Sequence, residues 1–290
     1  MSQQCSYCIR FAGVMICASS GGGEARENVM NLSTMFIPDR DNLVERLIRA
    51  ANAERWFAKL PDNARRWSAK RRAPGFGHVP HLLKAKQGDD YELMSAAAQK
   101  CIFVHVPKAA GISVANALFG SRAGGHIPLC YYLWLYGAKR FDAYFKFAFV
   151  RHPVDRARSA YQFLHAGGLS QIDRDWAEIY VKPYETFDEF VSQSLVRPEV
   201  SQALHFRPQV FFLTDPRTGK IGLDFLGKFE NIGCDFVKVA DRLGRNCQLP
   251  HLNKKDGLAG RLDISNESLG LLHEIYRQDL AALDYNEYEA

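Results

Sequence analysis

The stretch that most constrains the fold is CIFVHVPKAAGISVANALFG, residues 101–120. CIFVHV (101–106) reads as a buried strand, PKAAG as a tight loop of small residues, and SVANALFG (113–120) as a helix closed by glycine. A buried strand that runs through a short loop into a helix is the building unit of parallel α/β domains. FKFAFV (145–150) and PVDRARSAYQFL (153–164) repeat it, with proline in the first helical turn. Downstream, FDEFVSQSL (187–195), CDFVKVADRLG (234–244) and SNESLGLLHEIYRQDLAAL (265–283) read as helices. VFFL (210–213) and LDFLGKFE (223–230) read as strands. The order predicts an α/β domain with a largely parallel sheet flanked by helices.

Upstream of residue 95 the pattern differs. Residues 1–38 show no steady periodicity and include a GGG run, which reads as a loose tail. Leu43, Leu47, Ala51 and Phe57 recur at near-helical spacing between Asp39 and Leu60, with Asp39 or Asp41 as the cap. Residues 64–86 carry Arg65, Arg66, Lys70, Arg71, Arg72, Lys84 and Lys86 and no acidic residue, and PGFGHVPH (74–81) breaks any helix there. That segment is either a solvated basic face or a patch for a polyanionic acceptor or a membrane surface. The division expected is a mostly helical or irregular N-terminal extension, 1–95, and a main domain, 96–290.

The 290 residues are 47% hydrophobic and 24% charged, an ordinary globular composition. A net charge of +5 suits an anionic partner without naming one, and does not point to nucleic acid. The seven cysteines are scattered, with one close pair, Cys5 and Cys8, and no second pair at zinc-site spacing. They read as reduced thiols of a cytoplasmic protein. FAGVMICASS (11–20) leaves secretion or membrane association as the lesser alternative. No apolar run reaches the ~18 residues of a membrane-spanning helix.

The chemistry sits in the two strand–loop–helix corners. In the first, Lys108 offers a positive charge, Gly111 allows close backbone approach, and Ser113 adds a hydroxyl at a helix start whose free N–H groups point outward. This is a phosphate cradle, or else a strand–turn–helix corner with a surface lysine. It is not a Walker A loop, because the lysine precedes the glycine. In the second, Arg151 closes a strand, and Asp155 and Ser159 share a helix face two turns on. Ligands of open α/β sheets bind outside the carboxyl ends of strands, which would bring Lys108 and Arg151 to one rim and suit a ligand with two separated phosphates.

The pair HVPKAAGIS (105–113) and FVRHPVDRARSAY (149–161) resembles the sulfotransferases, most closely the carbohydrate O-sulfotransferases that include heparan 2-O-sulfating enzymes and their bacterial relatives. HFRPQVFFL (205–213), LDFLGKFENIGCDF (223–236) and LPHLNKK (249–255) follow the order of that family's later blocks. The resemblance covers roughly residues 100–285 and implies a P-loop NTPase-like parallel sheet. It implies 3′-phosphoadenosine-5′-phosphosulfate (PAPS) as co-substrate, with the phosphosulfate held by Lys108, Ala109, Ala110, Gly111, Ile112 and Ser113. It also implies that Arg151 and Ser159 hold the 3′-phosphate and that Asn253 and Lys254 close over the nucleotide. Ala109 and Ile112 stand where relatives often carry threonine, and His152 where asparagine or aspartate is common.

Sulfuryl transfer from PAPS to a hydroxyl, of a saccharide or glycoconjugate, is then the expected activity. Lys108 would stabilise charge on the leaving oxygen, and no metal is expected. His126, in GGHIPLCYY (124–132), resembles the family's general base; the alternative is a loop histidine that caps or packs. His105 reads as a structural hydrogen bonder, Glu230 as a structural partner or base-orienting group, and Gln209 as a lining of the acceptor cleft. The competing readings are a non-catalytic nucleotide-binding or scaffold protein of the same fold and a P-loop kinase-like enzyme. Peripheral membrane contact stays open, and the sequence is silent on the acceptor's identity and the oligomeric state.

Overall fold

The computed structural model describes residues 8–11, 14–17, 91, 93–249 and 264–286. The chain divides into two compact units, Met1–Asn31 and Leu32–Ala290. In the first, β1 (Cys8–Phe11) pairs antiparallel with β2 (Val14–Cys17), with Phe11 opposite Val14. Strands of four residues are too short to display alternation, so this ladder was not foreseen in a stretch expected to be helical or irregular. The expected helix within Asp39–Leu60, the basic segment 64–86, and Asn253 and Lys254 all lie outside the described residues.

In the second unit, β3 (Cys101–Val104), β4 (Phe145–Val150) and β5 (Phe225–Lys228) form a parallel sheet in that order. Val104 lies opposite Ala148, and Val150 opposite Lys228. The helices are α1 (Met94–Ala98), α2 (Gly111–Phe119), α3 (Leu129–Ala143), α4 (Pro153–His165) and α5 (Gln171–Tyr180). They continue with α6 (Phe187–Phe190), which passes into a π-helical turn, Val191–Leu195, then α7 (Pro198–Ser201) and α8 (Val210–Leu213). Last come α9 (Ile232–Arg242), α10 (Asn266–Ile275) and α11 (Arg277–Ala282).

Side-chain alternation divides the sheet between two cores. Ile102, Val104, Ala148 and Val150 face α3 and α8, where Leu129, Leu133, Phe141 and Phe212 are buried. Cys101, Phe103, Phe147 and Phe149 face α2 and α9, meeting Val114, Leu118, Phe236 and Val239. A third core, built by α4 with α5, α6, α7 and α10, stands apart from both sheet faces. Leu93, three residues before the expected boundary at residue 96, is buried with the first core.

Three sequence expectations change. VFFL is a helical turn and not a strand: the N–H groups of Gln209 and Val210 donate to the Asp279 carboxylate at 2.7 and 3.0 Å, which caps its start from a distant helix. The strand expected over 223–230 narrows to β5 and ends in a 3₁₀ turn, Phe229–Asn231. The last helix breaks at Tyr276, whose buried hydroxyl donates to Phe206 O at 2.7 Å.

Candidate active site

Because β3 and β4 are parallel neighbours, both deliver their carboxyl ends to one edge of the sheet, and each leads within a short loop to a helix N-terminus. The first loop is strained. Lys108 (φ 65°) and Ala110 (φ 61°) both occupy the left-handed region, which costs a non-glycine residue about 1–2 kcal/mol. Val114 N–H is the first to bond back, to Ala110 O at 3.1 Å, so the N–H groups of Gly111, Ile112 and Ser113 have no carbonyl one turn back within α2. Gly111 is required for packing: a Cβ there would lie 1.8 Å from Cδ2 of His105. Ala109 is buried, so its methyl belongs to the core, whereas Ile112 is exposed.

Two cations meet at this edge. The Lys108 ammonium lies 3.9 Å from the Phe163 ring centroid. Burial, and then repulsion from Arg151, push its pKa down to about 8 against the attraction of Asp173. The Arg151 guanidinium stacks 4.4 Å from the Phe229 ring centroid, and burial likewise lowers its pKa against the pull of Asp155 and Glu230. Two partly desolvated cations that repel one another are a standing attraction for an anion. Ser159 is half-buried on α4, while Asp155, one turn earlier, pairs with Arg158 at 3.3 Å.

The groups beneath this rim hold it in place. Gln209 is fully buried: its Oε1 accepts from Arg151 N–H at 3.0 Å, and its Nε2 donates to Arg151 O at 2.8 Å. It positions the strand end and does not line a cleft, contrary to the sequence expectation. His152 caps α4, its Nδ1 accepting from Val154 N–H at 3.3 Å, the work an asparagine or aspartate does at that position. Glu230 accepts from His152 N–H at 2.8 Å and from the Tyr285 hydroxyl at 2.9 Å, a structural tie between β5, α4 and the chain's last described residues.

Beside Lys108 lies a cluster of histidines. His126 Nδ1 lies 2.9 Å from His105 O; a carbonyl only accepts, so Nδ1 carries the proton and Nε2 keeps its lone pair. Burial, His205 and Lys108 push the His126 pKa down to about 4, against the bond to His105 O and the charge of Asp173. His126 is therefore neutral near pH 7, the form a base needs. His105, expected to make a structural hydrogen bond, acts through its backbone carbonyl and its ring, which stacks on Phe103 at 5.6 Å. Its buried Nδ1 has no partner among the described residues.

Sequence reasoning assigned no role to two members of this cluster. His205 Nε2 lies 3.2 Å from Asp173 Oδ1, and the His205 ring lies edge-on to His126 (6.0 Å) and Phe163 (5.2 Å). Asp173 also accepts at Oδ2 from Leu169 and Ser170 N–H, each at 3.0 Å, and its own N–H donates to Ser170 Oγ. Burial raises its pKa, but these bonds and His205 outweigh it and hold the carboxyl ionised, well below the usual carboxylate range. The legible signal was the capping box Ser170-x-x-Asp173.

Strand ends, helix N-termini, paired cations and an adjacent neutral histidine together define an α/β protein suited to hold an anion beside a proton acceptor. The Sulfotransferase family model matches residues 132–286, more than half of the chain, and the chain belongs to that family. It is thus a transferase of sulfur-containing groups, with sulfuryl transfer as its general reaction. The matched span includes Arg151, Ser159, His205 and Asp173 and begins after the 107–113 loop and His126. No curated protein and no solved structure matches the chain.

Proposed function

We propose that this protein moves the sulfuryl group of PAPS to a saccharide hydroxyl, on a P-loop-like strand–loop–helix corner. The carrying observation is that Lys108 and Arg151, following adjacent parallel strands, reach the same edge closely enough for Arg151 to disfavour the charge on Lys108. A ligand with a 5′-phosphosulfate and a 3′-phosphate would satisfy both. In this reading the free N–H groups of Gly111, Ile112 and Ser113 hold the phosphosulfate, and Arg151 and Ser159 hold the 3′-phosphate. Lys108 leaves Phe163 to meet the bridging oxygen, where negative charge grows as the S–O bond breaks. His126 Nε2 removes the acceptor proton. Asn253 and Lys254 would add a cover over the nucleotide.

The test is calorimetry without metal, using 3′-phosphoadenosine 5′-phosphate (PAP), AMP and ATP, followed by PAPS turnover across saccharide, lipid and phenolic acceptors. PAP is expected to bind far more tightly than AMP, with Arg151→Ala erasing most of the difference. Each charge-assisted bond to the 3′-phosphate contributes about 1.5–3 kcal/mol. Equal affinity of the unaltered protein for PAP and AMP would overturn the donor assignment. PAP binding without transfer to any acceptor would favour a nucleotide-binding scaffold.

A further inference from the structure

A base that accepts a proton must also hold it, and His126 is poorly placed to do so. Its neighbours are His105, His205 and the Lys108 ammonium, and among the described residues no carboxylate hydrogen-bonds to its ring, although the Asp173 charge reaches it. Resting on the reaction proposed above, we propose that the Asp173–His205 pair is the proton store of that reaction. His205 takes on Nδ1 the proton that His126 removes from the acceptor, and Asp173 holds the resulting imidazolium.

Three observations carry this. His205 Nε2 faces Asp173 Oδ1 at 3.2 Å; the ionised carboxylate can only accept, so Nε2 carries the proton and Nδ1 is left with its lone pair. That Nδ1 is buried and has no hydrogen-bond partner among the described residues, a state that costs about 1–3 kcal/mol unless something fills it. The His126 ring is a neighbour of the His205 ring, at 6.0 Å between centroids and nearly perpendicular. The pair is fixed from both sides. Asp173 is locked by the N-terminal turn of α5, and the His205 carbonyl accepts from the buried Arg156 guanidinium at 2.9 Å.

The charges around His205 point the same way. Asp173 approaches from α5, Arg156 and Phe163 from α4, His126 from the loop before α3, and Lys108 from the β3–α2 loop through its contact with Phe163. Of these, Asp173 is the one anion. The step balances simply. The acceptor O–H breaks as its oxygen bonds to sulfur, and the bridging S–O electron pair leaves with PAP. His126 Nε2–H forms and then breaks as His205 Nδ1–H forms, so His126 returns neutral and the positive charge rests against the Asp173 carboxylate.

Nitrogen-15 NMR of histidine side chains, on the full chain with and without PAP, reads the pair without needing an acceptor. The His205 Nε2 should show the shift of a protonated ring nitrogen and Nδ1 that of an unprotonated one, and Asp173→Asn should weaken that preference. If His205 carries its proton on Nδ1, or if Asp173→Asn leaves the tautomer preference unchanged, the proposal is overturned. The kinetic arm uses the acceptor identified by the turnover screen. His205→Gln should lower kcat at least tenfold with PAP affinity unchanged. A purely structural His205 would weaken PAP binding and leave kcat at saturating PAPS unchanged, which would overturn the proposal too. A protein that turns over no acceptor would refute the reaction, while the NMR tautomer still decides the pair.

Discussion

At the scale of single residues, Lys108 makes the sharpest demands on experiment. Burial and Arg151 have moved its pKa down to about 8, so the ammonium is already losing its proton at mildly alkaline pH. An anion beside it favours the charged form and raises that value again. PAP binding at pH 9 should therefore take up a proton, and affinity should decline as pH rises above 8. Calorimetry in buffers of different ionisation enthalpy measures the uptake, and Lys108→Met should abolish it. The same variant should lower turnover by roughly 10²–10³ at saturating PAPS, because charge on the leaving oxygen is largest in the transition state. Lys108, Arg151 and His126 could be singled out from sequence because each sits in a motif a few residues long. His205 and Asp173 could not: 32 positions separate them, Asp173 on α5 and His205 after α7, and only tertiary packing brings them together.

Elements were legible in proportion to how local their causes are. β3, β4, α2 and α4 are set by unbroken apolar runs, by Pro153 in a first turn and by Gly120 at an end, and all four were expected. The helix α3 was not. Nearly every residue from Leu129 to Gly137 is buried, so no polar face marks a period, and the chain kinks at Gly137 (φ 72°). The turn α8 was mistaken for a strand because four apolar residues fit either element, and its deciding cap, Asp279, lies about seventy residues away. Gly111 tests how one element is anchored. Gly111→Ala drives a methyl into the His105 ring, an overpacking expected to cost about 1–3 kcal/mol. The displaced ring should also disturb the carbonyl that holds His126. The denaturation midpoint measures the first effect, and kcat compared with PAP affinity the second.

At the scale of the whole molecule, the described part of the domain is reached at Tyr91, whose hydroxyl accepts from Arg122 at 3.4 Å, and at the buried Leu93. A chain beginning at Tyr91 should fold and bind PAP as the full chain does. One beginning at Ala96 loses Leu93 and should be weaker by about 1.5–3 kcal/mol, the value of burying such a side chain; thermal unfolding of the two compares them directly. If the basic segment 64–86 guides an anionic acceptor, the shorter chains should show a higher acceptor KM and a flatter dependence on salt. Identical salt slopes would return the segment to an ordinary solvated face.

The far end of the described chain is less free than its position suggests. Lys228 Nζ donates to Asp284 O at 2.6 Å, the Tyr285 hydroxyl donates to Glu230, and His152 Nε2 meets Asn286 O at 3.0 Å. Three consecutive residues thus fasten like a buckle across the rim that carries Arg151. An affinity tag or fusion partner joined close behind Asn286 would pull on that buckle, and through His152 on the start of α4. For whoever purifies this enzyme, the choice of terminus for the tag is already a choice about how the Arg151 rim is held.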